Sequence, residues 1–157
     1  MIRRTHWQTV AGLVIGSAGV TYVLAEWWAA GGRTPVPVSG AVAVVILAFA
    51  AVLFWLGRSV RRFVLGKRPG LNPLRAFRIL VLAKASVIAG SLQLGFFAAH
   101  AAALVTTYAD APEARRQVVA SAVNALACGV LVGVGLLVEW FCRVPPPEDE
   151  PQQGTPT

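Results

Sequence analysis

The sequence predicts an all-α, polytopic membrane protein: a bundle of four transmembrane helices with both termini in the cytoplasm. Three observations carry this. Four long apolar segments divide the 157 residues, only 13% of which are charged, where a soluble domain of this size carries about 25% to keep its surface in water. The net charge of +7 and pI near 10.8 come from basic residues grouped in one central stretch and near the ends. Those groups fall on alternate sides of the apolar segments, which is how basic residues orient a membrane protein.

The first segment runs from Trp7 to Ala30, following Arg3 and Arg4. It exceeds the about 20 helical residues needed to cross a hydrocarbon layer of roughly 30 Å. A cleaved signal peptide is the competing reading, because two arginines precede the segment and Ala29, Ala30 and Gly31 are small. The apolar stretch is longer than a usual signal core, and Glu26, Trp27 and Trp28 suit an interfacial anchor better than a cleavage site. The next residues, GGRTPVP, read as a turn through their glycines and prolines.

A second helix is expected over 38–56, made almost entirely of Ala, Val, Ile, Leu and Phe, with no polar stripe. Gly57 to Arg78 then reads as an inner loop, carrying Arg58, Arg61, Arg62, Lys67, Arg68, Arg75 and Arg78 and no acidic residue. Pro69, Gly70 and Pro73 interrupt it, and Asn72 before Pro73 supplies a cap with proline at the first helical position. The third helix is expected over 76–106, long enough to tilt or to project from the bilayer. Asp110 and Pro112 mark an outer turn, and the fourth helix is expected over 117–141. Residues 144–157, PPPEDEPQQGTPT and the valine before it, form a proline-rich acidic tail that reads as disordered.

Orientation follows from the basic residues. With both ends inside, Arg3, Arg4, the seven of the central loop and Arg143 make ten on the inner side, against Arg33, Arg115 and Arg116 outside. The remaining basic residue, Lys84, lies within a helix. No nucleic-acid motif accompanies the positive charge, so nucleic acid is not an expected partner. Arg58, Arg61, Arg62, Lys67 and Arg68 are candidate contacts for anionic lipid headgroups, each worth about 1 kcal/mol when suitably placed. Their simpler reading is as topology determinants.

Polar residues within the apolar helices are the candidate functional positions. In an antiparallel hairpin of the third and fourth helices, Lys84 and Glu139 share a depth in the inner leaflet, and His100 and Asn124 share one in the outer half. The expectation is an ion pair for the first couple and a hydrogen bond for the second. Lys84 and Glu139 read either as helix-to-helix glue or as part of a proton or ion path. Gln93 is placed for an interhelical hydrogen bond near mid-membrane, and Glu26 for water or Arg33 at the outer interface. His100 has only His6 as a histidine companion, on the opposite side, so a structural role outweighs metal ligation.

Small residues recur at four-residue spacing in Gly12 and Gly16, Ser86 and Gly90, Ser91 and Gly95, and Gly129 and Gly133. Such faces allow close helix packing within one chain or between copies. Cys128 and Cys142 lie on one helix about 20 Å apart and cannot bridge. There is no phosphate-binding glycine loop, serine elbow, HExxH or paired-carboxylate motif, so no catalytic constellation and no cofactor are expected.

The runs LNPLRAFRILVLAKASVIAG, residues 71–90, and LLVEWFCRVPPPEDE, residues 136–150, resemble actinobacterial membrane proteins catalogued as domain of unknown function 3180. The resemblance centres on Pro73, Leu74, Arg75, Arg78, Leu82, Ala83, Lys84 and Ala85, then Glu139, Cys142, Arg143 and Pro145. It implies a multi-pass protein of the bacterial plasma membrane and no assigned activity. The leading functional expectation is a non-enzymatic bundle that binds a membrane partner, a second copy or anionic lipid. A small transporter using Lys84 and Glu139 is the alternative, and an enzyme acting on lipid substrates ranks third.

Overall fold

The computed structural model describes residues 7–34, 36–64, 73–107 and 113–141. They form four helices: α1 (Trp7–Ala30), α2 (Ala41–Val64), α3 (Pro73–Thr106) and α4 (Ala114–Phe141). Each is long and apolar enough to cross a membrane, so the chain is read as a multi-pass membrane protein. The acidic tail and the outer turn at Asp110 and Pro112 lie outside the described residues.

The helix ends have local causes. α1 stops where Gly32 adopts a left-handed backbone, φ 67°, and its N–H returns to the Ala29 carbonyl at 2.8 Å. Such a turn favours glycine and satisfies a carbonyl that the helix leaves open. α2 begins three residues later than position 38. Pro37 and the residue it restricts keep the chain extended, and the Ser39 hydroxyl accepts from the Ala41 N–H at 3.3 Å, as an N-terminal cap does.

At its other end α2 continues through Gly57 to Val64 instead of stopping at Leu56. Gly57 marks a close approach to α4, not a helix end: a Cβ there would run into the Val138 side chain. The helical arginines suit this end, since positive charge complements the exposed carbonyls of a helix C-terminus. Arg58 and Arg61 therefore sit on a helix, not in a loop. α3 starts at Pro73, ahead of position 76, with proline at the first position where its missing N–H costs nothing. Its 34 residues exceed the about 20 that a perpendicular crossing needs.

Neighbour relations set the architecture. α3 packs most extensively against α4 and next against α1, α2 packs on α4, and α2 touches α3 only slightly. Among the described residues α1 and α2 do not touch. The helix order across the bundle is therefore α1, α3, α4, α2, open between its first and last members. α1 runs parallel to α3 and α2 parallel to α4, while α3 and α4 are antiparallel.

Backbone approach at glycine holds this row together. A Cβ at Gly95 of α3 would collide with the Ser17 side chain and the Val14 carbonyl of α1. On the other side, Gly90 packs on Val132, Leu131 and the Cys128 carbonyl of α4, and Gly135 packs on Val87 and the Ala83 carbonyl. Lipid tails are as apolar as the helices, so close van der Waals fit replaces the hydrophobic drive of a soluble core. Ser86 and Ser91 hydroxyls return to their own helix, at the Leu82 and Val87 carbonyls. The small residues of the other two pairs face away: Gly12, Gly16, Gly129 and Gly133 have open space where a Cβ would stand.

We expect Gly95→Leu to loosen α1 from α3 and destabilise the protein by about 1–3 kcal/mol, the usual cost of overpacking. Gly16→Leu should stay within about 0.5 kcal/mol of the parent, as surface changes do. Thermal unfolding of both variants in detergent distinguishes them, and equal loss would mean that the α1–α3 contact is misplaced.

Candidate functional site

Two polar regions stand at opposite ends of the α3–α4 hairpin. At the end formed by the start of α3 and the close of α4, the antiparallel register seen at Gly90 with Val132 and Val87 with Gly135 brings Lys84 level with Val138, one residue from Glu139. Both charged residues are half-buried, beside the fully buried Ala83 and Val138. Neither lacks an interaction partner. The wall between the helices at this level is tight, since a Cβ on Gly135 would stand 3.1 Å from the Ala83 carbonyl and 2.6 Å from Val87.

The basic residues at this end divide. Arg58 and Arg61 are exposed on the last turns of α2, but the Arg61 guanidinium also lies 4.6 Å from the Phe141 ring and 5.6 Å from the Trp140 ring of α4. This cation–π contact ties the two helix ends together. Lys67 and Arg68, and the Arg62 side chain, lie outside the described residues.

Near mid-membrane the Cys128 thiol donates to Gln93 Oε1 at 3.8 Å, the expected interhelical bond of Gln93. At the opposite end Glu26 accepts from the Thr107 hydroxyl at 3.1 Å, and Tyr22 and Thr106 hydroxyls meet at 3.4 Å. The Thr107 hydroxyl answers Glu26 because the parallel packing of α1 and α3 brings their C-terminal ends together.

The expected His100–Asn124 hydrogen bond gives way to a different arrangement. His100 has a backbone hydrogen bond with Val36, and Asn124 Nδ2 donates to the Ser39 carbonyl at 3.1 Å. Gln117 Oε1 accepts from the Val38 N–H at 3.4 Å. Three side chains from α3 and α4 thus hold the backbone of the α1–α2 connector. The physical reason is the helix order: the connector must pass from one edge of the row to the other, over the ends of α3 and α4. Its unpaired backbone groups recruit the polar side chains beneath it.

At the α1 end of this strap the Trp28 indole donates to the Thr34 carbonyl at 3.2 Å, and the Arg33 guanidinium stacks 4.5 Å from the Trp28 ring. His100 is only 8% exposed and stacks on Phe96, with the ring planes 3° apart. Its Nε2, Ser121 Oγ and Asn124 Oδ1 are buried without a hydrogen-bond partner among the described residues. Beside His100 a cleft of about 370 Å³ opens between α1 and α3. No group of three His, Cys, Asp or Glu side chains that could hold a metal occurs among the described residues.

A model of the family described as protein of unknown function DUF3180 matches residues 10–146. The chain belongs to this family. The match reaches beyond the runs 71–90 and 136–150 to cover most of α1 and all of α2, so the DUF3180 region contains all but the first three residues of the helical row, the connector and both polar regions. No curated protein and no solved structure matches the chain. Membership in DUF3180 therefore brings no activity with it.

Reading single polar residues missed the strap, although a signal was present. Gln117, Ser121 and Asn124 recur at spacings of four and three, which sets them on one face of α4. What the pattern could not name is the partner, which is backbone from a distant segment.

Asn124 has 0% exposure, so its loss leaves the Ser39 carbonyl in need of a partner. Asn124→Leu is expected to cost about 1–3 kcal/mol, seen as a lower thermal midpoint in detergent together with faster proteolysis in the connector. Unchanged midpoint and protection would remove the strap as a stabilising element.

Proposed function

We propose that this protein is a non-enzymatic accessory subunit that holds a membrane-embedded partner against its helices. The observation that carries this reading is α1. Among the described helices it packs on α3 alone, none of its residues is buried, and its outward flank combines the open small positions Gly12, Gly16 and Gly19 with Ile15, Val20 and Val23. A helix so covered on one side presents a knob-free stripe along which another transmembrane helix packs closely.

The reading places both termini and the α2–α3 connection in the cytoplasm of a bacterial plasma membrane, on the ten-to-three distribution of basic residues. In that orientation Arg58 and Arg61 meet the anionic inner leaflet, and Trp140 and Phe141 lie at the same interface. Lys84 and Glu139 then form an ion pair joining α3 and α4. The tight approach of Gly135 to Ala83 and Val87 supports a dry structural contact over a hydrated transport path.

A photocrosslinking residue at Ile15, incorporated in native membranes, should give a discrete adduct of reproducible mass, whereas the same residue at Val45 of α2 should not. Absence of any protein adduct from several α1 positions would overturn the proposal.

The ion pair is tested separately by a double-mutant cycle. Lys84→Ala and Glu139→Ala should each destabilise the protein, with a coupling of about 0.5–3 kcal/mol between them; strict additivity removes the pair. Proteoliposome flux that depends on either residue would favour the small-transporter reading instead.

A further inference from the structure

One strip of α3 is left uncovered by the other three helices. Leu82, Ala85, Ala89, Gln93 and Phe96 recur at spacings of three and four, which sets them on one flank of the helix, and all five are exposed. The close contacts of α3 lie elsewhere: Gly95 meets α1, while Gly90, Val87 and Ala83 meet α4. Four of the five strip residues are apolar, as lipid requires. The fifth is a glutamine.

Gln93 stands midway along the span. From the helical rise it lies about 24 Å from Phe77 and about 20 Å from Thr106, the ends of the apolar stretch, too deep for its side chain to reach water at either interface. Its one hydrogen bond among the described residues is at Oε1, which accepts from the Cys128 thiol at 3.8 Å. Both N–H groups of the carboxamide and the second lone pair of Oε1 are left over. Hydrocarbon cannot bond to them, and a polar group held unbonded in lipid is costly. An exposed carboxamide at this depth therefore calls for a polar group from another transmembrane helix.

We infer that this strip is a contact between two copies of the chain, closed by reciprocal hydrogen bonds between their Gln93 carboxamides. A primary amide carries donor and acceptor together, so it is its own complement: each Gln93 gives an N–H to the other's Oε1 and takes one in return. A twofold axis along the membrane normal brings the same strip of both copies together and sets the two glutamines at one depth. The helix of a different protein would need a polar residue at that depth from its own sequence; a second copy has it by symmetry. Ala85 and Ala89, two turns and one turn before Gln93, have no bulk to hold the backbones apart. The contact uses α3 and not the flank of α1 on which the accessory role rests, so the two are tested separately.

The test uses the full chain carrying Cys142→Ser, in lipid vesicles over a range of low protein-to-lipid ratios. Resonance energy transfer between copies labelled at the amino terminus should report a saturable, two-copy association. Gln93→Leu is expected to weaken it about tenfold, the worth of two interhelical hydrogen bonds in lipid, with the thermal midpoint maintained. Because that change also removes the bond with Cys128, Cys128→Ala provides the comparison: it deletes that bond, keeps the carboxamide, and should leave the association unchanged. Ala89→Leu should abolish it by holding the backbones apart. Oxidative crosslinking places the contact: Ala89→Cys should give a disulfide-linked dimer, whereas Leu126→Cys, 73% exposed on α4, should not. Full association of Gln93→Leu, energy transfer that never saturates, or equal crosslinking at the two engineered cysteines would each overturn the inference. So would an Ala89→Cys adduct in native membranes that holds a different protein in place of a second copy.

Discussion

Everything in this structure depends on α3 approaching two neighbours at once. Inside a bilayer no water is released when apolar helices meet, so association must come from dispersion contacts and a few hydrogen bonds, both of which require close backbones. Gly95 permits that approach toward α1, and Gly90 and Gly135 permit it between α3 and α4. A larger side chain at any of them would stand where a carbonyl or a side chain of the neighbour already lies.

The helix order then dictates the rest. Because α1 and α2 occupy opposite edges of the row, their connector has to cross the end of the α3–α4 pair where Gln117 and Asn124 lie. Extended backbone near hydrocarbon must find hydrogen bonds, and His100, Gln117 and Asn124 provide them. The same order leaves α1 with a single helix neighbour among the described residues, with the cleft beside His100 between the two.

Polar side chains in the membrane therefore have differing roles. Gln93 with Cys128 and Glu26 with Thr107 join helices directly, while the strap residues bind a segment of backbone that no periodicity argument could supply. The arginines at the end of α2 show a related point. Read along the chain they look like a loop, but a helix can carry them across the interface, because their aliphatic stems lie along apolar surface while the guanidinium groups reach water or stack on Trp140 and Phe141.

Four spans, a proline cap ahead of α3 and the end of α1 near its glycines were legible in the sequence, because hydropathy, proline and glycine act locally on the chain. Which helices touch was not, because all four are apolar on every side and hydropathy does not distinguish a face that meets lipid from one that meets protein. Only the tertiary structure decided that Gly90 and Gly95 lie in contacts while Gly12 and Gly129 face outward, and that His100 and Asn124 hold the connector instead of each other. Those outcomes depend on steric fit between distant segments, which residue spacing along one helix does not encode.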